Sequence, residues 1–316
     1  LRESVAVVIY EKSQFPRHKV CGEFLSPELV GLLDRFGLAS GFVALGPSRL
    51  ARVRLHFGAR TKEWRLAEPA YGLSRFALDR LLMDAAVARG AQLRHALAPA
   101  ELPGSVVVAH GRRTASSEKG SRLFGFKAHF SGPVDDGVDL AFFGRVYAGV
   151  SAVEGGAVNV CGLAPESQLR ECGWEPEELL SRSPVLRGLL APLTRRFDWL
   201  VTGPLVFREG FRREKSGADS YPVGDALGFI DPFTGSGILS AVLSGAMAGE
   251  AAARGDAVGM YLARCRGALG VQYRTAGILR RVVESGWMDR LSGLAGLIPG
   301  RLLFEWTRPR LAQAPE

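Results

Sequence analysis

Residues 221–245, Tyr-Pro-Val-Gly-Asp-Ala-Leu-Gly-Phe-Ile-Asp-Pro-Phe-Thr-Gly-Ser-Gly-Ile-Leu-Ser-Ala-Val-Leu-Ser-Gly, constrain the fold more than any other stretch of this chain. An apolar strand end runs into Gly224-Asp225. A turn follows at Asp231-Pro232, and Thr234-Gly235-Ser236-Gly237 then opens a helix rich in Ser, Ala and Gly. A glycine turn at a helix start presents backbone N–H groups at the positive end of the helix dipole, which suits an anionic or electron-rich ligand. Small residues along the helix allow close packing against a sheet or a large planar ligand. Together these features point to a bound cofactor.

Three further strings carry chemistry. Val5-Ala-Val-Val-Ile-Tyr10 followed by Glu11-Lys12 is a β-branched run ended by an acid, the pattern of a second strand in a dinucleotide fold whose carboxylate bonds a ribose. Phe15-Pro-Arg-His-Lys-Val-Cys-Gly-Glu-Phe-Leu-Ser-Pro-Glu28 precedes an amphipathic helix near residues 28–36. Tyr71-Gly-Leu-Ser-Arg-Phe-Ala-Leu-Asp-Arg80 leads into a helix through Ala88, closed by Arg89-Gly90. Cys21 reads as an inert packed thiol at least as readily as a reactive one.

The Gly-Asp pair followed by Pro-x-x-Gly-x-Gly resembles the second cofactor motif of FAD-dependent oxidoreductases with the para-hydroxybenzoate hydroxylase-like fold, closest to the geranylgeranyl reductase-like branch. The Pro-Arg-x-Lys-x-Cys-Gly-Glu and Ser-Arg-x-x-Leu-Asp strings are similar to that branch as well. The resemblance implies FAD as cofactor, with NAD(P)H as candidate electron donor. It places Gly224-Asp225 at the ribityl or pyrophosphate region, and the turn Pro232, Thr234, Gly235, Ser236, Gly237 and Ile238 beside the pyrimidine edge of the flavin. Reduced flavin gathers negative charge at that edge, and fixed N–H dipoles stabilise it without reorganising. By the same resemblance Glu11 bonds the ribose, Arg17, Lys19 and Arg75 reach cofactor oxygens, and Cys21-Gly22 approach the ring. Asp79 pairs or caps within the fold.

Departures from the family pattern are equally visible. A strand, a GxGxxG turn and a helix, roughly thirty residues in all, precede the acidic strand in such proteins; here Leu1-Arg-Glu-Ser4 resembles the tail of that helix. His110 stands where the family has Thr or Asp, and the stretch from Arg94 to Val106 is short for a β-meander. The chain has neither the Trp-x-Phe-Pro-like element of lipid-reducing relatives nor the tryptophan motif of flavin halogenases.

The implied fold class is α/β in two domains: an N-terminally truncated, Rossmann-like FAD/NAD(P)-binding domain with an inserted antiparallel β-sheet substrate domain and a helical C-terminus. Alternation over 48–71 and the aromatic, β-branched runs between 123 and 163 supply the strands of the insert. The boundaries expected are 1–47, 72–120 and 204–255 for cofactor binding, 48–71 and 121–203 for the β-rich unit, and 256–316 for the helical tail.

Other function classes find less support. The net charge of +8 comes from scattered arginines with no basic run interleaved with aromatics, so nucleic acid is not an expected partner. Four widely spaced cysteines form no CxxC, and five histidines show no HxxxH, which argues against a disulfide framework or a metal site and fits a reducing cytoplasm. No apolar run of about eighteen residues occurs, although the tail, with Leu291, Leu294 and Trp306 beside arginines, offers peripheral membrane contact as a second role. The expected activity is flavin redox chemistry, reducing or hydroxylating a hydrophobic, isoprenoid- or polyketide-like small molecule. No side-chain acid or base stands out, and no oligomeric state is specified. The contrasting expectation is a truncated, FAD-deficient paralogue acting as a binding module.

Overall fold

A computed structural model describes residues 5–58, 60–111, 122–205, 220–229 and 235–284. In chain order the first half comprises β1 (Val8–Tyr10), β2 (Phe24–Leu25), α1 (Pro27–Arg35), α2 (Ala39–Ala44), β3 (Ser48–Phe57), β4 (Arg60–Gly72), α3 (Arg75–Ala88), β5 (Gln92–Arg94) and β6 (Val106–Val108). The central segment is β7 (Leu123–Ser131), β8 (Gly137–Phe143), β9 (Val146–Val153), β10 (Ala157–Pro165), α4 (Glu166–Glu171), α5 (Pro176–Ser181) and α6 (Pro184–Leu190). It is followed by β11 (Thr194–Arg195), β12 (Leu200–Leu205), β13 (Ser220–Pro222), α7 (Gly237–Arg254) and α8 (Val258–Glu284).

Two short parallel pairs, β1 with β5 and β13 with β6, are the sheet elements of the smaller half among the described residues. Parallel pairing requires crossover connections, and the whole run from β2 through α3 separates β1 from its partner β5. The packing of this half is a single apolar cluster. Leu29, Leu32 and Leu33 of α1 meet Leu239, Leu243 and Met247 of α7 and Tyr261, Cys265 and Leu269 of α8. The spacing of those α1 leucines is the 3–4 residue repeat of one helix face, as its amphipathic pattern requires. Helix α7 ends at Gly255 in a left-handed conformation, φ 68°, the geometry glycine adopts most readily.

The larger half is a nine-stranded sheet ordered β11-β7-β10-β9-β8-β3-β4-β2, with β12 also on β7. Most pairs are antiparallel, but β3 runs parallel to β8, so the inserted sheet is mixed where a wholly antiparallel one was expected. The reason lies in connectivity: α3, β5 and β6 intervene between β4 and β7, so β8 reaches β3 by a long excursion and not by a hairpin. β12 pairs with β7 through Leu205. The boundary expected at residue 204 therefore falls inside a strand of this sheet.

The two sheet faces differ in kind. Phe126, Ala128, Phe130, Val158 and Val160 pack beneath Leu169, Leu179, Leu180 and Leu186 of α4–α6. The alternate positions, Lys127 and His129 on β7 with their register partners Cys161 and Asn159 on β10, point to the other face. That polar face is covered by the segment from Phe15 to Phe24. At its far end the sheet curls until Gly72 of β4 lies against β9. A Cβ at Gly72 would collide with the Ala152 carbonyl oxygen, so the close approach depends on glycine.

Candidate functional site

Two of the strings singled out in the sequence, residues 15–28 and 71–80, meet where residues 15–24 cross the polar face of the large sheet. Lys127 and Glu23, both with side chains 0% exposed, form an ion pair. The other Glu23 oxygen, Oε2, accepts a hydrogen bond of 2.6 Å from His129 Nε2, and Oε1 also accepts from the Arg75 backbone N–H at 2.8 Å. Glu23 holds this position with φ at 53°, an uncommon conformation for a non-glycine residue. Burial by itself would push the Glu23 carboxyl up; the His129 hydrogen bond and the Lys127 charge outweigh it and hold the group below its ordinary value.

Around this centre the loop is pinned by further bonds. Asn159 Nδ2 donates to the Cys21 carbonyl at 3.1 Å, and the Glu23 N–H donates to Cys21 Sγ at 3.4 Å. The ring of His18 stacks between Phe76 and Phe197 and meets His129 edge-on, with ring centroids 5.0 Å apart. Burial, with the nearby Lys127 and His129, lowers the His18 pKa. Gly22 lies beside Cys161, whose sulfur would sit 3.8 Å from an added Cβ. Burial pushes the Cys161 thiol up to about 12 and raises Cys21 as well, so both are packed, protonated thiols.

Arg75 and Lys19 share one carboxylate. Arg75 donates to Asp79 through Nε at 2.7 Å and Nη2 at 2.9 Å, and Lys19 Nζ donates to Asp79 Oδ2 at 2.7 Å. Asp79 is thus the internal pairing partner foreseen for it, and its carboxyl is held down chiefly by Arg75 against the opposing effect of burial. The remaining guanidinium donors of Arg75 are not used by Asp79. Immediately before it, Ser74 caps α3 by accepting from the Ala77 N–H, while its own hydroxyl and N–H donate to Glu154. Arg17 is exposed on the outer side of the loop.

The second motif adjoins the first. Gly235, with φ 64°, has Phe24 2.9 Å from where a Cβ would stand, so the turn before α7 rests directly on the end of the residue 15–24 segment. Ser236 is fully buried and its side chain makes no cap to α7, so among the described residues no N-cap side chain takes the first-turn N–H groups. Gly224 and the exposed Asp225 form a 3-10 turn after β13, fixed by the Gly224 N–H donating to Ser244 Oγ at 3.0 Å. Pro232 and Thr234 lie outside the described residues. Glu11, at the end of β1, accepts from the Ser13 N–H at 2.8 Å. Beside it is a hollow of about 330 Å³ lined by Lys12, Ser13, Gln14, Phe15 and His95.

These residues fit a flavin dinucleotide in part. The uncapped start of α7, Asp225 and Glu11 offer N–H dipoles and carboxylates of the kind such a ligand needs. Arg75 and Lys19 each bond Asp79 through part of their donor set. What the sequence reading missed is the Glu23–Lys127–His129 cluster. Glu23 stands more than a hundred residues from Lys127 and His129, and only the alternation Lys127-Ala-His129 within a β-branched and aromatic run hinted that two polar groups share one sheet face.

No protein-family model matches the chain, and no curated protein sequence matches it. Solved structures do. The flavin-dependent brominase Bmp2 superimposes with a TM-score of 0.72 at 17% identity, covering 97% of this chain and 88% of its own. A flavoprotein/dehydrogenase from Cytophaga hutchinsonii gives a TM-score of 0.66 at 17% identity over 97% of this chain and 92% of that one. PqsL from Pseudomonas aeruginosa, described as a probable FAD-dependent monooxygenase, gives 0.64 at 16% identity over 90% and 91%. At such identities the likeness establishes architecture: the chain has the mixed α/β fold of FAD-binding flavoproteins.

Proposed function

We propose that this chain is a FAD-dependent oxidoreductase acting on a hydrophobic small molecule. The observation that carries the reading is the meeting of Gly235 with Phe24. It brings the uncapped start of α7 and the loop over the polar sheet face to one place. FAD, when bound, supplies the redox chemistry. The chain's part is to bind and orient it: N–H groups of Gly237 and Ile238 toward the electron-rich ring edge, Asp225 toward the ribityl–pyrophosphate region, and Glu11 toward the ribose. The β-rich half covers the opposite side and carries the substrate.

The named functions of the structural neighbours, bromination, dehydrogenation and monooxygenation, favour oxidative use of the flavin. A geranylgeranyl reductase-like subtype rests on the sequence motifs alone. NAD(P)H is the proposed reductant, and an isoprenoid- or polyketide-like molecule the proposed substrate. Among the described residues no helix is long and apolar enough to cross a membrane, and contact with a membrane surface is proposed only for the tail. The test is the flavin content of Asp225→Ala against Asp219→Ala, the latter at a position outside the described residues. Asp225→Ala is expected to retain clearly less FAD. Equal content in the two variants would refute the placement of Asp225, and a colourless unmodified protein would favour the binding-module alternative.

A further inference from the structure

We propose that His18, His129 and Glu23 form a binding site for one divalent transition-metal ion of the zinc class. Their ligand atoms all lie within 4.8 Å of one another. Two imidazoles on one tetrahedral zinc, with Zn–N near 2.0–2.1 Å, have ring centres about 5 Å apart, and the His18 and His129 centroids are 5.0 Å apart. His18 Nδ1 is buried with no hydrogen-bond partner among the described residues, an unmet need that a metal or a donor would answer. Glu23 divides its two oxygens: Oε1 takes Lys127 and the Arg75 N–H, while Oε2 takes His129. An ion held at Oε2 replaces the His129 hydrogen bond and leaves the Lys127 pair in place.

Two histidines and one carboxylate leave a fourth coordination position open. That is the pattern of sites that hold a water or a ligand oxygen, in contrast to closed four-ligand structural sites. The stacking of His18 between Phe76 and Phe197 and the packing of His129 against Phe197 fix both rings before the ion arrives. Lys127 sets the affinity. Its ammonium shares the Glu23 carboxylate and repels a second cation, so the site is one in which metal and lysine compete.

The experiment is titration of the full chain, flavin-free and flavin-loaded, with Co²⁺, followed by visible d–d absorption and by displacement with Zn²⁺. It does not depend on the flavin reading, because the flavin-free arm stands alone. The expected result is one Co²⁺ per chain, binding weakened at least about tenfold in His18→Phe, a variant that keeps the ring stack. Lys127→Met is expected to bind at least about tenfold tighter and to gain more in Tm from added Zn²⁺ than the unmodified protein does. Absence of Co²⁺ bands in the unmodified protein, or equal binding by His18→Phe, would overturn the site. Weaker binding by a folded Lys127→Met would show that the ion does not sit on Glu23.

Discussion

Lys127→Met probes the energetics of the site most sharply. Lys127 and Glu23 are both 0% exposed, so removing the ammonium leaves a buried carboxylate with only His129 and one backbone N–H. Breaking a buried pair in this way costs about 3–5 kcal/mol, because the remaining charge is neither solvated nor compensated. Glu23→Gln strands the ammonium instead and is expected to cost a similar amount. The double variant, Glu23→Gln with Lys127→Met, removes both charges and keeps the volume, and should recover most of the loss. A coupling energy of about 2 kcal/mol or more would then emerge from the double-mutant cycle. Urea denaturation followed by circular dichroism at neutral pH supplies the four stabilities.

The same measurements repeated at lower pH add a sign test. Because the Glu23 carboxyl is held below its ordinary 4.5 in the folded protein, it contributes stability above that value. The contribution is lost as pH falls through the lower, folded value. The unmodified protein therefore loses this increment below about pH 4.5, and Glu23→Gln does not. A Lys127→Met penalty under about 1 kcal/mol, or a double variant no more stable than either single one, would refute the picture of a desolvated, mutually dependent pair.

Two other outcomes follow from packing. Gly72→Ala drives a methyl into the Ala152 carbonyl oxygen and is expected to lower stability by about 3 kcal/mol, seen as a shifted denaturation midpoint; an unchanged midpoint would mean the sheet does not curl as described. The four free cysteines all have thiols raised by burial, Cys161 to about 12 and Cys265 to about 11. A thiol reagent at pH 8 should therefore modify the native protein slowly and all four sites rapidly in denaturant, and a single fast thiol in the native state would contradict the packing at Cys21.

Local signals carried much of the fold. The helix over 27–35 was legible from its leucine spacing and from Pro27 at its first turn, and α3 from Ser74 followed by a run of good helix formers. Strands β7 to β10 showed as β-branched and aromatic runs parted by glycines. Long-range pairing left no such trace. Nothing local distinguishes β3 running parallel to β8 from a hairpin partner, because register and direction are set by connections far away in the chain. The same holds for the site. Gly235, Ser236 and Gly237 announce themselves because a turn and a helix start impose residue types at fixed offsets. Glu23, Lys127 and His129 impose none on their neighbours, and the pairing of Arg75 with Asp79 four residues on is legible only as an i,i+4 spacing.

We propose above that this chain holds a flavin between the start of α7 and the polar-faced sheet. Titrating the purified chain with FAD, while following the visible spectrum and the fluorescence of the bound flavin, tests it most directly. Saturable one-to-one binding with a perturbed flavin spectrum, weakened by Asp225→Ala, is the result the structure predicts. A protein that stays colourless, and leaves the spectrum of added FAD unchanged at concentrations well above that of the chain, would contradict it.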